Sequence, residues 1–231
     1  MGSWRDCDSA GIIRILSCGS GIDKKTIDWY YDFISPFAYF AGESLTRLAD
    51  TNELRLNPIL FAGLLQHHVT KGPAEIPAMR RFTFRHIRWL ADRHGIVLKP
   101  PPAHPFNPLP LLRLAIAIDA DLEQVQRLFR FVWAEGKSQD DEKAWHALLD
   151  EFGITEAEIA SGSVKAKLRQ TTDAAIEADI FGVPSFVVDG EIFWGFDAME
   201  FLVDYLEDPN LLQTPGMRAI DAMPDGVQRK P

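Results

Sequence analysis

Ser35-Pro36 is the first place in this 231-residue chain where residue type and spacing could do chemistry. Serine is a favoured helix N-cap, and proline is tolerated at the first helical position because its missing N–H would have been unpaired there anyway. The preceding run, Ile27 to Phe33, is rich in aromatic and β-branched residues and reads as a buried strand, interrupted by charge only at Asp28 and Asp32. A hydroxyl at such a strand-to-helix turn stands beside free N–H groups and the positive end of a helix dipole, a setting that favours an anion. The same pair also starts many helices with no role beyond capping. A second marker is Val183-Pro184, at the entrance to a later β-rich run. Taken alone, a proline there marks only a strand boundary.

The elements that must position these residues follow from periodicity. Phe37, Phe40, Ala41, Leu45, Leu48 and Ala49 recur at helical spacing to about residue 50, and Leu54 to Leu60 alternates as a second strand, with Pro58 suggesting an edge. Helical patterns follow at 74–94, stopped by Gly95, at 109–136 with a break near Ala120, at 141–152, at 155–161 and at 164–180. Between the first two, Lys99 to Pro108 is a proline-stiffened loop. Val183 to Gly195 reads as a hairpin turning at Asp189-Gly190, and Asp197 is placed as the N-cap of a last helix, 198–207. This order predicts an α/β, thioredoxin-like mixed sheet with an inserted all-helical subdomain. The expected divisions are an extension at 1–25, the sheet domain at 26–60 and 164–207, the helical insertion at 61–163, and a tail at 208–231. In that fold the insertion lies over the carboxyl end of the first strand, where Ser35 stands. A cis proline at the Val183-Pro184 position faces the start of the first helix and lets the loop pair with a peptide backbone.

Composition narrows the function classes. A net charge of -9 argues against nucleic acid and anionic membranes as partners, since phosphate backbones are held by surplus Lys and Arg. Cys7 and Cys18 have neither redox nor zinc spacing, and no histidine arrangement suggests a metal. No run approaches a membrane span and no secretory leader is evident, so a cytoplasmic location is the default expectation. The run Arg80, Arg81, Arg85, Arg88 and Arg93 reads as a solvated helix face. Asp32, if buried, needs a partner that the sequence does not name.

Several separated motifs resemble one family. They are Tyr31-Asp-Phe-Ile-Ser-Pro-Phe-Ala-Tyr39, Lys71-Gly-Pro-Ala-Glu-Ile-Pro77 with Arg80-Arg81, the Pro100-to-Asn107 loop, Phe181-Gly-Val-Pro-Ser-Phe186 and Phe193-Trp-Gly-Phe-Asp197. Together they are similar to the 2-hydroxychromene-2-carboxylate isomerases, allied to kappa-class glutathione transferases in the DsbA-like thioredoxin superfamily. The resemblance implies a glutathione-dependent isomerase of an aromatic-degradation intermediate, in which Ser35 activates the thiol of bound glutathione. The thiolate would add to a conjugated carbon, allow rotation about the resulting single bond, and leave again. By the same resemblance Val183 and Pro184 would meet the cysteinyl unit, and Trp194, Gly195, Phe196 and Asp197 the γ-glutamyl end. Lys71, Arg80 and His104 would face an aromatic acid substrate, and a homodimer is implied. The family's asparagine, lysine and arginine anchors are replaced here by Thr70, Met79 and Ala198. A kappa-like glutathione transferase and a thioredoxin-like binding module without chemistry are the alternatives. A thiol-disulfide oxidoreductase is disfavoured because Ser35-Pro36-Phe37-Ala38 holds no sulfur.

Overall fold

The computed structural model describes residues 24–224 and 226. Cys7, Cys18 and the expected N-terminal extension lie outside the described residues, apart from Lys24 and Lys25. Four strands form one mixed sheet in the order β2-β1-β3-β4: β1 Thr26–Tyr31, β2 Glu53–Pro58, β3 Ser185–Val188 and β4 Glu191–Trp194. β1 and β2 run parallel, while β3 is antiparallel to both β1 and β4. Between β1 and β2 lie α1 Pro36–Ser44 and α2 Thr46–Thr51, so the single helix expected to residue 50 is divided at Leu45. The β3–β4 turn is made by Asp189 and Gly190, both at positive φ, as the dipeptide predicts. Pro58 closes β2 on the edge of the sheet, where its missing N–H interrupts no ladder.

Between β2 and β3 the chain is helical: α3 Phe61–His67, α4 Pro77–His94, α5 Leu109–Ala117, α6 Leu122–Trp133, α7 Glu142–Phe152, α8 Glu156–Ile159 and α9 Gly162–Glu177. Gly95 ends α4 in the left-handed region, and the break expected near Ala120 falls at Asp119 before the capping box of Asp121 and Gln124. After β4 come α10 Met199–Glu207 and α11 Pro215–Asp221. Part of the tail expected from residue 208 is thus helical. Pro215 opens a helical turn there, and Leu211 and Leu212 pack against the core.

Strict alternation along β1 sends Ile27, Trp29 and Tyr31 into the main core, and its other face, with Tyr30, meets a second cluster of Ile59, Leu64, Ala175, Ile180 and Val183. The main core centres on Phe129 of α6, whose ring lies 4.6 Å from Phe33, 5.8 Å from Tyr31 and 6.0 Å from Trp29. The Trp133 indole N–H donates to the Phe33 carbonyl at 2.9 Å. α6 thus grips the last turn of chain before Ser35. Phe129→Ala should cost about 3–5 kcal/mol in urea unfolding, the range for emptying a packed aromatic site. A loss under about 1 kcal/mol at unchanged denaturant slope would show that this hub does not organise the core.

Candidate active site

Ser35 caps α1 with extended backbone angles, and its Oγ accepts the Ala38 N–H at 3.2 Å. The same hydroxyl donates to the Val183 carbonyl at 3.3 Å, across 148 residues of sequence. The Val183-Pro184 bond is cis, as the thioredoxin-like topology predicts. Val183 is buried, and its own N–H makes no hydrogen bond among the described residues. Ser35 is itself 8% exposed, enough to reach a cavity of about 1610 Å³ that opens beside it.

Every residue named from sequence lines this cavity: Ser35, Val183, Pro184, Trp194, Gly195, Phe196, Asp197, Lys71, Arg80 and His104. Trp194 lies across the loop so closely that a Cβ on Gly182 would overlap its indole nitrogen, which is why glycine stands there. Gly195 donates its N–H to the Pro184 carbonyl at 2.9 Å and takes φ 101°, tying the end of β4 to the proline loop. Asp197 departs from expectation. The N-cap of α10 is Ala198, because consecutive turns already use the Ala198 and Met199 N–H groups, bonded to Gly195 and Phe196 carbonyls. The Asp197 carboxylate is left exposed and without a hydrogen bond among the described residues.

His104 reaches in from the proline-rich loop. Its Nε2 lies 2.9 Å from the Ile34 carbonyl, which requires that nitrogen to carry the proton, and Arg80 Nε donates to the His104 carbonyl at 3.3 Å. Burial, partly offset by the Ile34 bond, lowers the His104 pKa. Lys71 is exposed on the rim. Arg80 and Arg93, the two ends of the arginine run, are exposed as a solvated helix face predicts, and both also line the cavity.

Sequence reading missed two parts of the site. Asp32 is wholly buried at the cavity floor, its oxygens accepting the Ile34 N–H at 3.1 Å and the Phe61 N–H at 2.9 Å. Those are the partners the sequence could not name, and one belongs to the first residue of α3. The second part is the outer face of α4, with Phe82, His86 and Trp89. Its apolar residues were legible, but periodicity alone did not separate that face from the Ile87 and Leu90 face that enters the core. Among the described residues no cluster of His, Cys, Asp and Glu could hold a metal, and no helix is long and apolar enough to cross a membrane.

This architecture matches the family model for a DSBA-like thioredoxin domain over residues 26–207. The chain belongs to that family. It is 28% identical over 186 residues to a 2-hydroxychromene-2-carboxylate isomerase of Pseudomonas putida, covering 76% of this chain and 91% of that one. It is 25% identical over 205 residues to glutathione S-transferase kappa 1 of Rattus norvegicus, covering 79% and 91%. A solved 2-hydroxychromene-2-carboxylate isomerase superposes with a TM-score of 0.67 at 24% identity, covering 86% of this chain and all of that one. In this DSBA-like chain the first position of α1's capping turn carries a hydroxyl and no thiol.

Burial drives the Asp32 pKa up to about 7, against the lowering effect of its backbone donors. The folded chain therefore keeps a proton that the unfolded chain releases above about pH 4, and stability associated with this group falls as pH rises toward 7. Between pH 5 and pH 8 the wild type should lose on the order of 2 kcal/mol relative to Asp32→Asn in parallel urea titrations. A difference that stays flat with pH would contradict the raised value.

Proposed function

We propose that the chain is a glutathione-dependent isomerase of the 2-hydroxychromene-2-carboxylate type, with Ser35 activating the thiol. The observation that carries this reading is the Ser35 hydroxyl, held between the Ala38 N–H and the Val183 carbonyl at the mouth of a large cavity. Relatives at 25–28% identity are named as that isomerase and as kappa-class glutathione transferases, which supports an isomerase-like enzyme associated with glutathione.

The residues present fit glutathione. The unused Val183 N–H and its carbonyl offer a tripeptide backbone an antiparallel partner. The unpaired Asp197 carboxylate can accept from an α-amino group, with Trp194, Gly195 and Phe196 enclosing that end. Bound glutathione supplies a thiolate that adds reversibly to a conjugated carbon. The Ser35 O–H turns from the Val183 carbonyl toward sulfur, and the Ala38 N–H keeps Oγ in place as it does so. At 3.3 Å the bond given up is longer than the usual O–H···O contact, so the exchange is cheap. Lys71 and Arg80 receive the substrate carboxylate, and His104 holds the Ile34–Ser35 peptide in register through the Ile34 carbonyl. The helices within 61–163 act as an insertion that supplies the substrate side of the cavity. The compartment proposed is the cytoplasm, and a homodimer is the proposed assembly.

A kappa-like transferase is the second reading, favoured by the rat relative. The two are separated by incubating the protein with reduced glutathione and the chromene carboxylate while following the ultraviolet spectrum and free thiol. The isomerase reading expects spectral change only with glutathione present and a constant thiol count. Consumption of thiol in step with turnover supports the transferase, and no turnover of either kind overturns both. Ser35→Ala should lower kcat by about 10²–10³ with glutathione still bound in calorimetry, the range for losing one group that stabilises developing negative charge. Unchanged kcat would remove Ser35 from the chemistry.

A further inference from the structure

α9 turns Val164, Leu168, Thr172 and Ala175 inward, and its opposite face is open to solvent. Two ridges of residues spaced four apart cross that open face. One is Lys165, Arg169, Asp173 and Glu177, two bases followed by two acids, and beside it run Ala166, Gln170 and Ala174. All of these residues are exposed, and they border a shallow hollow of about 610 Å³. That hollow shares no lining residue with the cavity beside Ser35.

The order of charge on the first ridge is unfavourable for a helix standing alone. Acids are stabilised near the positive, N-terminal end of the helix dipole and bases near its C-terminal end. α9 has no acid in its first turn and no base in its last, while Glu177 is its final residue. A base four residues before an acid is also the weaker direction for a pair within one helix. In keeping with this, none of the four charged side chains makes an ion pair or hydrogen bond among the described residues.

What the ridge lacks within its own helix it finds in a copy of itself. Turned end for end, Lys165 meets Glu177 of the second copy and Arg169 meets its Asp173, and a twofold axis repeats both pairs. The axis passes near Gln170, whose amide holds both donors and an acceptor and so pairs with its symmetry mate. Ala166 and Ala174 on either side of it let the two helices come close, with their dipoles opposed. The four charges of the ridge cancel, so on a chain of net charge -9 this face approaches its copy without local repulsion. We propose that α9 is the contact surface between two copies of this chain, packed antiparallel through the ridge from Lys165 to Glu177. This gives the homodimer named under the proposed function its interface, and it rests on that assembly.

The test is sedimentation velocity of the full chain and of two double variants, Lys165→Glu with Arg169→Glu and Asp173→Lys with Glu177→Lys. The first carries an all-acidic ridge and the second an all-basic one. The wild type is expected to sediment as a dimer. Each variant alone should dissociate, its self-association weakened by about a hundredfold or more because like charges now face each other. Mixed in equal amounts, the two variants should recover a dimer containing one copy of each. All four positions are exposed, so circular dichroism should show both variants folded. A wild-type dimer that neither variant disturbs, or variants that do not recombine, overturns this face while leaving the homodimer in place. A wild-type monomer overturns the face and the homodimer together. The isomerase reading survives either result, because no α9 residue lines the cavity that holds Ser35.

Discussion

The Ser35 hydroxyl is bound on both sides by backbone, and the rest of the site depends on that double constraint. The Ala38 N–H fixes the oxygen and the Val183 carbonyl accepts the O–H, so one small group joins the start of α1 to the approach to β3. A free serine rotor would spread its proton over several directions. This one is aimed at the edge of the proline loop, beside the cavity where a ligand sulfur would arrive. Two secondary contacts hold the turn in place: the Trp133 indole on the Phe33 carbonyl and the His104 ring on the Ile34 carbonyl. Both donors come from the stretch between β2 and β3, and one of them, His104, also lines the cavity.

Electrostatics in this region are arranged with few charges. Asp32 sits below the turn, and with its pKa lifted to about 7 it adds little fixed negative charge near Ser35 in acid conditions. His104 is held toward the neutral form by burial. The N-terminus of α1 is thus the main positive influence on an anion at the serine. Lys71, Arg80 and Arg93 line the same cavity, and in the proposed reading they serve a carboxylate while the start of α1 serves a thiolate.

Much of this was legible because certain residues allow few alternatives. Asp189-Gly190 takes two positive φ angles, Gly95 stops α4, and Ser35-Pro36 begins α1. Each is a local choice with a local cause. What escaped the sequence is set by tertiary context. α3 has no side-chain cap of its own and is anchored by Asp32 and by Thr172, whose Oγ1 accepts the Leu60 N–H at 3.0 Å. Asp197 lost its expected capping role to turns formed by neighbouring backbone. On α4, Phe82 and Ile87 look alike in a periodicity count, and only the packed fold puts one in the cavity and the other in the core. The functional assignment of each lining residue rests on the motif resemblance and the shared cavity together.

The most direct measurement is the pKa of the glutathione thiol when bound, read from ultraviolet thiolate absorbance across a pH series for wild type and Ser35→Ala. The account expects the wild-type complex to titrate well below the value of about 8.5 usual for a free cysteine thiol, with Ser35→Ala moving back toward it. A bound thiol that titrates like free glutathione in the wild type, or identical curves for both proteins, would contradict it.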